Sequence, residues 1–507
     1  MKIRLALAAL LLASTANAET LREAMASAYA TNPDITSARA GQRLNDEELI
    51  RSKQAIRPSL TANGVLDQET SDPGRFDDRS RAFNVNLQLS QPVYRGGRIR
   101  NDRKSADRQV LSGREQLRAI ENQLIFDTVQ AYMNVLSDQS EVELTENNVR
   151  VLERQLQASS DRFEVGDVTR TDVAQSEARL ALARSQFLAA EANLEASRNN
   201  YERVVGHRPE DLQPPPPLPV LPGTPAQAVD LALAENPFIQ SAKLAEEAAR
   251  FQVRSARGAR LPSVDATLGM GYSNFRGITQ QFDPETGGRL DAIFRQTEFT
   301  QNIGVQATIP LFSKGQLGSQ IRSAQARADQ LREDALAAER DAIETVRTAY
   351  QDLLSARATI RAATAAVDAN DLALEGTRAE QTVGTRNILD VLNAEQEFLD
   401  SQVQVVRAER NAYVAGYALL AAIGRAEVEL LDIPVAVYNA EQYLDEADDR
   451  WFDWAAEFDA QPLRTDVLAP TPDDTLPAPR DAVPGETPGN ATPHDPIPDA
   501  DAGPNQG

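Results

Sequence analysis

Two similar stretches centred on glycine, 218 positions apart, constrain the fold of this chain more than any other feature. Each contains a Val-Gly pair between two long helical patterns, Val165-Gly166 in the first and Val383-Gly384 in the second. Glycine allows a chain to leave a helix and turn, and Thr or Asn just beyond it caps the next helix. The stretches at about 164–171 and 382–388 are therefore predicted to be the tips of two helical hairpins.

The similarity between the two halves extends far beyond the tips. Equivalent positions are 218 residues apart downstream and 204 apart upstream, so the second copy contains a 14-residue insertion between Pro262 and Pro310. The pairs that set these offsets are Asn32-Pro33 and Asn236-Pro237, Pro58 and Pro262, Pro92 and Pro310, Tyr132 and Tyr350, Asp172 and Asp390, and Gly206 and Gly424. Such duplication predicts one unit used twice, at 19–208 and 225–433, joined by a proline-rich linker at 209–224.

Residues 1–18 are typical of a secretory signal peptide. Lys2 and Arg4 precede an apolar run, and Ala16-Asn17-Ala18 is a small-residue cleavage site. The apolar run is too short to span a membrane, and no later segment is apolar enough for a transmembrane helix. A mature protein that enters a membrane is then expected to do so through β-strands. The absence of cysteine hints at an oxidising compartment and excludes disulfides and thiolate metal sites.

Once in each repeat, the spacing of the apolar residues changes from a helical pattern to alternation with polar residues. Alternation predicts strands at about 60–67 and 82–94 in the first repeat and at about 263–275 and 299–312 in the second. Each pair forms a β-hairpin. The inserted residues, around 283–288, are predicted to lengthen the loop of the second hairpin.

A long helical pattern follows each β-hairpin, and a shorter helix returns after each tip. The long patterns end at about Phe163 and Glu380, and a helix of such length is roughly 100 Å long. Along both long helices, mostly apolar residues recur at steps of three and four positions, which predicts a coiled-coil seam on each. These seams are Val142, Thr145, Val149, Leu152, Leu156, Ser159 and Phe163, and Leu317, Ile321, Ala324, Ala328, Leu331, Ala335 and Ala338.

Composition argues against two broad function classes. The net charge of −23 disfavours a nucleic-acid partner. An enzyme is also disfavoured, because the two histidines, His207 and His494, lie beside the linker and near the end, and no phosphate-binding loop or catalytic triad is recognisable. No metal or cofactor is expected. An acidic segment at 434–461 precedes a tail at 462–507 whose Pro, Asp, Gly and Thr content predicts disorder.

The motifs, in this order, resemble the TolC family of bacterial outer-membrane efflux and secretion ducts. The residues that carry the resemblance are Asn32-Pro33, Asn236-Pro237, Pro92, Pro310, Val165-Gly166, Thr171-Asp172-Val173 and Val383-Gly384-Thr385-Arg386. The resemblance implies a mainly α fold with membrane β: a homotrimer with a 12-stranded barrel in outer-membrane lipid and a helical barrel across the periplasm of a Gram-negative bacterium. It also implies a periplasmic adaptor at the tips and, through the adaptor, an inner-membrane ABC or proton-driven pump.

The resemblance also assigns a latch that closes the periplasmic end. By position, Asp172 resembles its acidic partner and Arg386 its basic partner. Thr171 resembles a second latch residue, whose usual tyrosine partner is replaced here by Gln381. A charged pair suits a latch because it is reversible, whereas apolar packing would lock the tunnel shut.

The entrance and the docking surface are assigned in the same way. Asp390 resembles a residue of an acidic ring that narrows the entrance, and Asn393 stands where the family has a second acid. Fewer carboxylates predict a weaker preference for cations. The residues that resemble the adaptor-docking tips are Val165, Gly166, Asp167, Val383, Gly384 and Thr385.

A second interpretation stays open on the sequence. The strands would then be small soluble hairpins on a periplasmic coiled-coil stalk, a structural or adaptor protein that does not conduct. Two helical hairpins and two isolated β-hairpins favour the duct, because an adaptor is expected to carry one helical hairpin flanked by compact β-domains. The sequence is compatible with either protein or small molecules as the cargo.

Overall fold

A computed structural model of the chain describes residues 18–71, 78–282 and 284–448, all within one compact unit that ends at Asp449. Residues 1–17, most of the predicted signal peptide, lie outside the described part. So do residues 449–507, which include the rest of the predicted acidic segment and the predicted disordered tail.

Both repeats have the same order of elements: two short helices, a β-hairpin, a 67-residue helix and a 36-residue return helix. The first repeat contains α1 (Leu21–Thr31), α2 (Pro33–Gln54), β1 (Ser59–Ser71), β2 (Asp78–Arg95), α3 (Arg98–Glu164) and α4 (Arg170–Val205). The second contains α5 (Pro225–Glu235), α6 (Pro237–Gly258), β3 (Ser263–Phe282), β4 (Arg289–Thr308), α7 (Gln316–Thr382) and α8 (Ile388–Ile423), followed by α9 (Gln442–Asp448). The predicted duplication of hairpins is confirmed.

One asparagine in each repeat joins the start of the unit to its end. Asn32 accepts a hydrogen bond from the Asp34 N–H at 2.8 Å, which caps α2, and its amide donates to the Val204 carbonyl of α4 at 2.9 Å. Asn236 caps α6 in the same way, and its side-chain amide donates to the Ala422 carbonyl of α8 at 2.8 Å. The helical segment between 225 and 258 is thus two helices, α5 and α6, because this cap starts a new one.

Replacing Asn236 with alanine is expected to lower the free energy of unfolding by about 2 kcal/mol, since it removes a cap and leaves a carbonyl without its donor. Asn236→Asp keeps the capping oxygen and is expected to cost less. Denaturant unfolding of both variants in detergent measures the difference. Equal losses of unfolding free energy in the two variants would mean that the cap does not contribute to stability.

The four strands form one antiparallel sheet in the order β1-β2-β3-β4, in which β2 and β3 join the two repeats. The insertion does not lengthen the second loop as predicted. Phe275 is the position equivalent to the end of β1, but β3 continues to Phe282. The strand β4 begins correspondingly early, at Arg289, so the inserted residues pair with each other. Pairing satisfies their backbone N–H and C=O groups, which a longer loop would leave to solvent.

The two faces of the sheet differ in chemistry. Side chains on one face are apolar and exposed, among them Leu66, Phe83, Leu87, Leu268, Met270, Tyr272, Phe299 and Ile303. The other face carries polar side chains such as Asn84, whose Oδ1 accepts a hydrogen bond from the Ser273 hydroxyl at 2.8 Å. A continuous exposed apolar face of this kind marks a surface that is covered by lipid or another apolar partner.

The largest core lies where the two repeats meet. It combines Tyr29, Tyr132 and Tyr201 of the first repeat with Tyr413 and Tyr417 of α8. Burial of these large rings removes apolar surface from water and stabilises the contact between the repeats. Among the helices in the described part of the chain, none is both long enough and apolar enough to cross a membrane.

The segment after α8 returns to the first repeat. Ion pairs fix it there: Glu441 with Arg114 and Asp448 with Lys53, each at 2.6 Å. The described part of the predicted acidic segment therefore packs on α2 and α3, where its carboxylates meet basic side chains.

Candidate gate at the hairpin tips

Each tip is a tight turn that exposes apolar side chains. Gly166 and Gly384 have φ angles of 80° and 81°, in the left-handed region that glycine adopts without strain. Val165 and Val383 beside them are 80% and 75% exposed, and Phe163, predicted to be a seam residue, is 44% exposed. The side chains at the tips thus add little to the core and are available to a partner.

Asp172 caps the return helix of the first hairpin. Its Oδ2 accepts hydrogen bonds from the backbone N–H and the hydroxyl of Thr169 at 2.9 and 2.8 Å, and its own N–H donates to the Thr169 hydroxyl at 3.3 Å. This reciprocal pair is a capping box that fixes the first turn of α4. One carboxylate oxygen, Oδ1, stays available to a further donor.

Arg386 binds carboxylates of its own hairpin. Its Nε lies 2.9 Å from Glu380 Oε2, and its Nη1 lies 3.8 Å from Asp390 Oδ2. Within the described chain Asp172 and Arg386 do not contact each other. The latch between the two hairpins, with Asp172 and Arg386 as its partners, stays a prediction.

The remaining predicted latch and ring residues are placed as follows. Thr171 is exposed and Gln381 is half-buried, and no side-chain hydrogen bond joins them within the described residues. Asp390 is half-buried in the first turn of α8, and its N–H donates to the capping Asn387 at 2.9 Å. Asn393, one turn further along, accepts a hydrogen bond from Arg179 of α4 at 2.5 Å.

The bond between Arg179 and Asn393 links the two hairpins, and sequence reasoning missed it. It lies beside a small apolar cluster formed by Leu152, Leu180, Ala183, Ile388 and Leu392. The helical spacing of Ile388 and Leu392 signals a buried face on α8. Nothing local in the sequence identifies α3 and α4 as the helices that cover it.

The family model described as outer membrane efflux protein matches residues 24–207 and 228–425, which together are most of the chain. The chain belongs to the outer membrane efflux protein family. The predicted resemblance to TolC-type ducts is thereby confirmed, and the protein is an outer-membrane export channel that extends into the periplasm.

Relatives of this efflux protein support the assignment over nearly the whole chain. The outer membrane efflux protein BepC of Brucella suis is 33% identical over 434 residues, covering 86% of this chain and 91% of BepC. TolC of Escherichia coli is 25% identical, covering 81% and 83%. The crystal structure of the Campylobacter jejuni CmeC outer membrane channel superposes with a TM-score of 0.69 at 17% identity, covering 85% and 89%, and shares the fold.

Proposed function

We propose that three copies of this efflux protein close into one duct. The observation that carries the proposal is the open sheet: within the described residues β1 and β4 each have one edge without a partner strand, on opposite sides of the sheet, and the exposed face is apolar. An open edge is not tolerated in lipid, and about eight strands are the minimum for closure. Head-to-tail pairing of β4 with the next copy's β1 closes a ring, and three copies supply twelve strands.

The helical part supports the same arrangement. Leu182 and Leu188 are exposed on α4, and Leu354 and Leu372 are exposed on α7. These helices are neighbours of α3 and α8 respectively and lie at opposite edges of the four long helices. Apolar side chains at both edges suit a contact between α4 of one copy and α7 of the next.

The tips are proposed to be the gate. Asp172 and Arg386 hold it closed between hairpins, with Thr171 and Gln381 as an auxiliary link. Asp390 narrows the entrance, and Asn393 lowers the charge of that ring. The exposed Val165 and Val383 and their neighbours Gly166, Asp167, Gly384 and Thr385 are proposed to receive a periplasmic adaptor, which connects the duct to an inner-membrane ABC or proton-driven pump.

The proposed cargo class is small molecules, in line with the word efflux in the name of the Brucella relative. Export of a protein by a type I system is the second candidate, because the same exit serves both. The channel carries no enzymatic activity of its own in this proposal, so energy comes from the pump.

The experiment is to purify the protein from outer-membrane fractions in detergent, determine its mass and record conductance in planar bilayers. A trimer that forms small, stable channels is the expected result. A monomer that is extracted without detergent and does not conduct would instead favour a periplasmic stalk.

A further inference from the structure

A polar layer crosses the interface between the two hairpins, about 30 Å along α8 from its first turn. It comprises Asn134, Asp138 and Glu141 of α3, Ser197 of α4, and Arg407 and Arg410 of α8. On α3 and α8 these residues recur at steps of three and four, so each of these two helices turns one polar stripe toward the other.

The bonds in this layer join α8 to α3 through guanidinium groups. Arg407 pairs with both oxygens of Glu141, with Nη2 to Oε1 at 2.7 Å and Nε to Oε2 at 3.1 Å. The Arg410 Nε donates to Oδ1, the side-chain amide oxygen of Asn134, at 2.8 Å. Asp138, held by the Ser197 hydroxyl, is the nearby carboxylate.

Apolar contacts hold α8 on either side of the layer. Towards the sheet, Tyr413, Tyr417 and Leu420 lie in the large core shared with the first repeat. Towards the tip, Ile388 and Leu392 lie in the small cluster against α3 and α4. The polar layer therefore separates an upper part of α8, which packs in the large core, from a lower part, which packs in the small cluster.

We propose that this layer is the pivot of the gate, and that the pair of Arg407 and Glu141 sets the resting angle of the lower part of α8. The proposal rests on the proposed opening at the tips. Interlocked apolar side chains resist rotation because the interior is close-packed. An arginine on a flexible stem keeps its forked hydrogen bonds through a small rotation of the helix that bears it.

Arg410 keeps α8 in place against α3 while the gate is closed. Its guanidinium is half-buried, and burial lowers its pKa, an effect that the charge of Asp138 opposes. A buried cation is costly to leave without its acceptors. Arg410 thus anchors the position of α8 against Asn134, while the more exposed Arg407 determines its angle.

The test is a charge swap measured by single-channel conductance. Arg407→Glu places two carboxylates together, and we expect the lower part of α8 to swing out and the conductance to rise several-fold. Glu141→Arg is expected to do the same, and the double variant to return the conductance towards the wild-type value. A merely structural role would lower thermal stability in all three without this restoration.

Arg150→Glu is the matched control, because Arg150 pairs with Glu146 at 2.9 Å within α3 and does not link the hairpins. Its conductance is expected to equal that of the wild type. If the wild type conducts and the conductance of Arg407→Glu is the same, the pivot proposal is wrong and the duct proposal is unaffected. If the folded wild-type protein does not conduct, the duct proposal falls and the pivot falls with it.

Discussion

Replacing Arg386 with serine is expected to raise the single-channel conductance several-fold. The guanidinium is the cation that Glu380 and Asp390 share at the second tip, and its loss leaves carboxylates that repel one another. An exposed ion pair contributes about 0.2–1 kcal/mol, so three copies contribute about 0.6–3 kcal/mol. That range is small enough for an adaptor to overcome, which is what a latch requires.

Arg162→Ser supplies the control for this measurement. Arg162 lies at the first tip, and its Nε is 3.9 Å from Asp167 Oδ2 of the same hairpin. The Arg162→Ser substitution therefore removes the same charge as Arg386→Ser but leaves the second hairpin unchanged. Its conductance is expected to stay at the wild-type level in planar bilayers at the same salt concentration. An Arg386→Ser channel that also matches the wild type would remove Arg386 from the gate.

Two further variants identify the partner of Arg386. If Asp172 of a neighbouring chain is the partner, Asp172→Asn opens the channel as Arg386→Ser does, and the double variant opens it no further. Asparagine keeps an acceptor for the Thr169 N–H, so the cap on α4 is largely retained. If Glu380 is the partner instead, Glu380→Gln opens the channel and Asp172→Asn does not.

The tips illustrate how far the sequence determines the site. Their positions follow from local chemistry, because Gly166 and Gly384 need positive φ and Thr169 and Asn387 cap the next helix. The partners of Arg386 do not follow, because they depend on side-chain directions in a folded turn. The contact of Arg179 with Asn393 joins residues of different repeats, and no local pattern specifies which helices become neighbours.

The sheet shows the same division between local and long-range information. Alternation located the strands, since each has one apolar face, and the bounds differ mainly at the loop ends. Residues 284–288 contain turn-forming types and do form a turn, which considered alone favours placing the whole insertion in the loop. Pairing across the hairpin decides otherwise, because equal extensions of β3 and β4 satisfy each other's backbone groups.

Tyr132→Ala is expected to cause the largest loss of stability, about 3–5 kcal/mol by analogy with other large aromatic truncations. The ring is fully buried, lies 6.4 Å from the Tyr201 ring, and belongs to the core that joins both repeats. Its hydroxyl lies 2.7 Å from the Gln213 carbonyl and 2.9 Å from that of Glu19. The variant therefore loses packing between repeats as well as a hydrogen bond at the linker.

Tyr350 is the matched position in the second repeat and provides the comparison. Its hydroxyl donates to the Gly223 carbonyl at 2.8 Å, but its ring is 8% exposed and packs in a smaller cluster with Val346, Leu353 and Leu419. Tyr350→Ala is expected to cost less than Tyr132→Ala, while Tyr132→Phe is expected to cost about 1 kcal/mol. Denaturant midpoints of the three variants in detergent test this order. Equal losses at Tyr132 and Tyr350 would mean that each repeat is stabilised by its own core, whereas the expected asymmetry means that the core shared by the two repeats contributes more stability than the cluster within the second repeat.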